Sequence, residues 1–239
     1  MTYKDVYKKF MIEYDKADIS SSYPSLTKYE VATLLDKAML ALIAQKVTGN
    51  NPRKQVLDLD MKGVADLQTL IYKKEIYNFN KDNSYSNKYL CDITNGEDIL
   101  YITHVYLQMY IKPNDITNKR LEEIHIIPQM YSYKFEESST NKPWIKHPVC
   151  YIAGDTINIF IGEDMKNMVS NHVYIDYIKR PYYFSDILMR DKLEDESIGN
   201  FPLSDTMCEE LINLAIIFAC RTVGDPRIST EMQTKSLES

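Results

Sequence analysis

Only seven glycines punctuate these 239 residues, too few to favour the glycine-rich loops in which backbone amides cradle a phosphate. The motifs that announce familiar site chemistry are missing as well: GxxxxGK[ST], GxSxG and HExxH do not occur. No apolar run approaches the roughly 20 residues that a bilayer-spanning helix needs. The opening MTYKDVYKKFMIEYDK is charged throughout, without the apolar centre of a signal peptide, so a protein that stays where it is made is expected. Cations are not in surplus either. A formal net charge of −6 argues against broad attraction to DNA or RNA, because neutralising phosphates takes an excess of Lys and Arg. Cys91, Cys150, Cys208 and Cys220 form no CxxC pair and sit among apolar neighbours, the pattern of free buried thiols in a reducing compartment.

What the chain has in quantity is tyrosine, 19 against a single tryptophan. Tyrosine gives strands and interfaces amphipathic contact area at low entropic cost. With 44% hydrophobic residues the chain can bury at least one core, as one large domain or two small ones.

Val6, Phe10 and Tyr14 recur at a spacing of four, which predicts a short helix, followed by the polar link ISSSYPS. In TKYEVATLLDKAMLALIAQKVTG, Thr27 and Glu30 have the spacing of a capping box, Val31, Leu34, Leu35, Ala38 and Leu42 make an apolar face, and Gly49 is placed as a stop. A second helix is expected over DMKGVADLQTLIYKKEI, capped by Asp60 and lying antiparallel to the first. Beyond residue 85 the texture turns to strands: YLCDI and ILYITHVYLQMYI on either side of the turn TNGED, then a hairpin in PVCYIAGDTINIFIG turning at Gly154-Asp155, then VYIDYIKRP, where Pro181 ends the ladder. NKRLEEIHIIPQMYSYKF reads as a short helix or as irregular, and EESSTNKPW as a loop. Residues 182–202 show no sustained period and read as a connection. LSDTMCEELINLAIIFACRTVG is a helix apolar on more than one face, and DPRISTEMQTKSLES a polar tail that orders on binding. The expected fold is α+β: a helical bundle built from residues 1–84 and 182–239, with an antiparallel β domain inserted at 85–181.

Residues that could carry chemistry have simpler explanations. His104, His125, His147 and His172 stand apart, with no second ligand at a metal-binding spacing. The acidic run Asp191, Glu194, Asp195 and Glu196 lacks the glycine turn of a calcium loop and reads as a solvated charge run. Cys150 and His147 are near in sequence, but nothing announces an oriented base or an oxyanion site. No catalytic, metal or cofactor site is assigned. The doublets Lys8-Lys9, Lys73-Lys74 and Lys179-Arg180, interleaved with Tyr7, Tyr72 and Tyr177, could bind phosphate beside stacked bases, but read better as rim charges at protein interfaces.

Taken together, YPSLTKYEVATLLDKAMLALIAQKVTG, YIAGDTINIFIG, VYIDYIKRP and LSDTMCEELINLAIIFACRTVGDPR resemble the ring proteins of tailed-bacteriophage necks, and more narrowly the head-to-tail adaptor rings of crAss-like podoviruses. The resemblance spans roughly residues 20–228. It implies a structural virion protein in the neck, in the host cytoplasm during assembly, forming a ring usually of twelve copies that joins the portal to neighbouring neck or tail rings. DNA would pass through the lumen without sequence-specific binding, and no membrane would be involved. It further implies bundle packing between subunits through Leu211, Leu214 and Phe218, and docking of the tail, with Arg227 and Ile228, on the portal. Head-to-tail rings use opposite charges on two sides of each subunit, so Lys179 and Arg180 are expected to meet carboxylates of a neighbour, Asp191 to Glu196. A stopper or tube-completion ring is the near alternative, and a metal-dependent enzyme using the 191–196 carboxylates the distant one.

Overall fold

The computed structural model describes residues 1–16, 26–48, 61–77, 79–82, 87–93, 99–111, 117–136, 148–162, 168–189 and 200–223. Its contacts divide the chain into two compact units, Met1–Leu70 with Pro181–Ser239, and Ile71–Arg180.

The first unit is helical. Helix α1 spans Tyr3–Lys16 and α2 Lys28–Thr48. Val6, Phe10 and Tyr14 are buried, as their spacing predicts. The capping box at the start of α2 forms in both directions: the Thr27 backbone N–H donates to Glu30 Oε2 at 2.7 Å, and the Glu30 N–H donates to Thr27 Oγ1 at 3.3 Å. These bonds hold the Glu30 carboxyl below its usual range. A second box starts α1, where Thr2 N–H donates to Asp5 Oδ2 at 3.0 Å and Asp5 N–H to Thr2 Oγ1 at 3.1 Å. Gly49 and Asp60 lie outside the described residues.

The helix expected over 60–76 is cut short. Helix α3 covers only Met61–Leu67, followed by a 3₁₀ turn, and Ile71–Ile76 is a strand. The run expected to be an open connection opens with helix α5, Phe184–Met189, numbered after the short α4, Tyr133–Glu136. Helix α6, Asp205–Val223, packs on both α1 and α2. That accounts for its two apolar faces: Leu211, Ile212, Ala215 and Ala219 are all fully buried. Asp36 of α2 caps α5 from a distance, its Oδ1 and Oδ2 accepting the N–H groups of Phe184 at 2.6 Å and Ser185 at 3.1 Å. Burial outweighs these bonds and raises the Asp36 carboxyl above its ordinary value. Beside it the rings of Tyr3, Phe184 and Phe201 meet at centroid distances of 4.7 to 5.3 Å. Lys46 ties α2, α3 and α6 together, 3.3 Å from Asp66 Oδ2 and 3.5 Å from Glu210 Oε2. No helix among the described residues is long and apolar enough to cross a membrane.

The second unit is a sheet of eight strands, in order of chain β1 Ile71–Ile76, β2 Phe79–Lys81, β3 Lys88–Asp92, β4 Ile99–Tyr110, β5 Lys119–Ile126, β6 Val149–Ala153, β7 Thr156–Phe160 and β8 Val169–Lys179. Their spatial order is β1-β8-β4-β5-β6-β7-β3-β2. The first and last strands of that order are consecutive in sequence. From Ile76 to Phe79 the chain can reach at most about 11 Å, whereas eight flat strands would span about 34 Å. The sheet therefore curls, and β2 touches β8. One face turns inward as a single core holding Ile76, Cys91, Val105, Leu107, Ile124, Ile157, Ile159, Val173 and Ile175. On the other side of β6 and β7, Phe135 of α4 lies against Phe160, with ring centroids 6.1 Å apart.

These observations correct the expected architecture. The largest element is a mixed sheet accompanied by a few helices, not a helical bundle carrying an inserted antiparallel domain. Three local features account for the difference. In IYKKEI the helix-favouring Lys and Glu are overridden by pairing with β8, which buries Ile76 opposite Val173. The segment read as helical or irregular supplies β5, antiparallel to β4 and parallel to β6. Its pattern is inverted, since Leu121 is exposed while Arg120 and Glu122 are screened, paired across 2.9 Å at an angle too bent for a hydrogen bond. Finally, the strands flanking TNGED do not pair with each other; β3 pairs with β2 and β7. Residues 94–98 of that turn and 137–147 of the EESSTNKPW region lie outside the described residues. The hairpin at Gly154-Asp155 forms as read, with Ala153 opposite Thr156 and Gly154 at φ +59°, a conformation that L side chains rarely adopt.

Candidate contact surface on the sheet

Register decides which side chains share the outer face. Glu75 opposes Tyr174 and Lys73 opposes Asp176; Tyr174 opposes Tyr106 and Asp176 opposes His104; Tyr106 opposes Glu123 and Tyr110 opposes Lys119. Alternate residues point to opposite faces, so with Val105, Val173 and Ile175 in the core, these polar and aromatic residues lie together outside.

Glu75, on the outermost strand β1, gathers the hydrogen bonds of the face. Its Oε1 accepts the Tyr174 hydroxyl at 2.8 Å and lies 2.7 Å from His172 Nδ1, and its Oε2 accepts the Tyr77 hydroxyl at 2.9 Å. An ionised carboxylate only accepts, so the ring proton of His172 sits on Nδ1. The Tyr174 hydroxyl, with those of Tyr77 and the imidazole, holds the Glu75 carboxyl below its usual range, and in return the carboxylate raises both phenols. Lys73 Nζ rests 5.1 Å from the Tyr106 ring centre and 5.5 Å from that of Tyr174. His104 stacks along Tyr106 at 5.9 Å, and Lys119 lies 6.0 Å from the Tyr110 ring. Much of the face is thus a set of rings and charges in contact with one another.

The residues singled out in the sequence fare unevenly. Lys179 is half-buried with its Nζ 5.6 Å from the Tyr72 ring, whereas Arg180 is exposed. Leu211 is fully buried in the core of its own unit and so is not available to a partner. Leu214 and Phe218 are half-buried, with Lys37 Nζ 4.8 Å from the Phe218 ring. Asp191, Glu194, Asp195, Glu196, Arg227, Ile228 and His147 lie outside the described residues. The doublet Lys73-Lys74 is split by the pleat, Lys73 pointing outward and Lys74 inward. Cys150 does not fit a nucleophile, because burial pushes its thiol up to about 12, as it does that of Cys91. Among the described residues, no group of three or more His, Cys, Asp or Glu could hold a metal ion.

The Glu75 cluster was not legible in the sequence. Its members come from β1 and the residue just past it and from β8, almost a hundred positions away, and Glu75 stood inside a run that reads as helix. Alternation of Tyr and His in NHVYIDY was the one available signal. No family model matches the chain, and no curated protein does.

Proposed function

We propose that this protein works by contact rather than turnover, as the structural subunit that its sequence resembles: a ring in a phage neck, between portal and tail, enclosing the path of the DNA. The observation that carries the reading is the outer face of β1, β8, β4 and β5. Glu75 with its three partners, and Lys73 with the rings of Tyr106 and Tyr174, already rest on one another, so little of their side-chain freedom is lost when a partner docks, and tyrosine is among the residues that interfaces favour, with lysines and carboxylates suited to the rim. Its size bears on the kind of assembly. Four strands and three rows of outward residues cover about 400 Å², half of the ~800 Å² per partner that a standard interface needs. Such a face suits a subunit held on several sides at once, as in a ring, better than an isolated pair.

In this reading Arg180, exposed at the end of β8, meets a neighbour's carboxylate. Light scattering or native mass spectrometry of the purified protein, alone and with its portal, tests the proposal. The expected result is a multi-copy ring that forms on the portal. A compact monomer indifferent to the portal would overturn it. Charge reversal at Lys179 and Arg180 that left assembly unchanged would remove the Arg180 contact alone.

A further inference from the structure

Strands β1 and β2 are separated by two residues. From one to the other, the spatial order passes through six antiparallel pairings and one parallel pairing, so β1 and β2 run in the same direction. In effect they are two arms of one strand, with a corner after Ile76: the first arm pairs with β8 and the second with β3. The curled sheet meets itself at this corner, where β2 touches β8.

The β1–β8 ladder ends with Ile76 opposite Val173, and the β2–β3 ladder begins with Phe79 opposite Cys91. Tyr77 stands between the two ladders. Its hydroxyl donates to Glu75 Oε2 at 2.9 Å, and its ring meets that of His172 edge-on, with centroids 5.5 Å apart. Glu75 is in turn held to β8 by Tyr174 and His172, at 2.8 and 2.7 Å. This clasp of side chains continues onto β8 the hold that the backbone ladder gives up at Ile76. An acceptor that carries a full charge makes its hydrogen bonds stronger than neutral ones. Past the corner, β2 is three residues long, and among the described residues it pairs with β3 alone. Short elements with few bonds are where local opening begins.

We propose that the Glu75 clasp is a latch on the curled sheet: it keeps the corner at Tyr77 seated on β8, and its release opens the seam between β2 and β8 while the other ladders stay paired. The device concerns the closure of the sheet and does not depend on the subunit reading above. Cys91 reports on it, being fully buried in the inner core on β3, the strand next to β2. Cys150 is equally buried in that core but lies on β6, two strands further from the seam. An opening confined to the seam reaches the first thiol and spares the second.

The experiment is iodoacetamide labelling of the full chain at pH 8, read at Cys91 and Cys150 by peptide mass spectrometry, for the wild type, Tyr77→Phe and Glu75→Gln. Tyr77→Phe removes one hydroxyl from an exposed side chain, so the fold itself is not at risk. Loss of that bond should raise the labelling rate at Cys91 roughly fivefold. Glu75→Gln should raise it at least as much, because all three donors lose their charged acceptor, and Cys150 should be unchanged in both variants. If Cys91 and Cys150 accelerate together, the variants loosen the whole sheet and the latch is overturned. If neither thiol reacts faster in either variant, the clasp does not hold the seam and the inference fails. Either failure leaves untouched the subunit reading, which assembly on the portal decides.

Discussion

Replacing Asp36 by alanine should loosen α5 and little else. The Asp36 carboxylate accepts the amides of Phe184 and Ser185, and Phe184 is fully buried, where water does not replace a lost acceptor. Loss of a capping side chain costs about 1 kcal/mol, and a buried donor left without a partner adds about 1–3 kcal/mol. Against this stands the cost of burying the carboxylate itself, which alanine removes. A net loss of about 2 kcal/mol corresponds to roughly 30-fold faster opening, which hydrogen exchange at the Phe184 and Ser185 amides reads directly, while protection in β4 and β8 should be unchanged. Asp36→Asn keeps one acceptor and should recover about half of the loss. The pH dependence has a definite sign. Burial raises the folded carboxyl above its unfolded value near 3.8, so the folded chain binds the proton more tightly. The contribution of this group to stability therefore falls as pH rises from about 3.8 through the folded value, and Asp36→Asn should lack that slope. Unchanged protection at residues 184 and 185 in Asp36→Ala would refute the reasoning.

Other perturbations have equally definite outcomes. Glu75 is the opposite case: its carboxyl is lowered from 4.5, so its contribution is complete above that value and lost as pH falls through the folded one, and Glu75→Gln should flatten the acid limb of the sheet's unfolding curve. Gly154→Ala meets nothing within 4 Å, so its penalty is the positive φ alone, about 1–2 kcal/mol; Gly154→Asn, better tolerated there, should cost less by urea denaturation. Burial pushes the thiols of Cys91 and Cys150 up to about 12 and that of Cys208 up to about 11. These three should resist iodoacetamide at pH 8 in the folded protein and react once it is unfolded in urea; fast labelling of any of them would show that its site opens.

Local rules were legible wherever one segment carries its own reason to fold. Thr27 and Glu30 are three residues apart and satisfy each other's amides, so the cap could be read directly. Val6, Phe10 and Tyr14 fall on one face of a helix whatever covers them, and Gly154 supplies the positive φ that its hairpin needs. The sequence by itself settled these points, together with the absence of an obvious catalytic motif and the abundance of tyrosine available for an outer face. The tertiary structure decided what depends on a distant partner. Whether IYKKEI continues a helix or forms the edge of a sheet is fixed by β8, a hundred residues away. Whether RLEEIHI is a strand depends on neighbours on both sides, one antiparallel and one parallel. The Glu75 clasp and the meeting of Lys73 with the rings of Tyr106 and Tyr174 exist only in the register of paired strands. Helical periodicity and caps are energies between near neighbours, which a sequence records in its spacing, whereas strand pairing joins positions whose separation no spacing encodes.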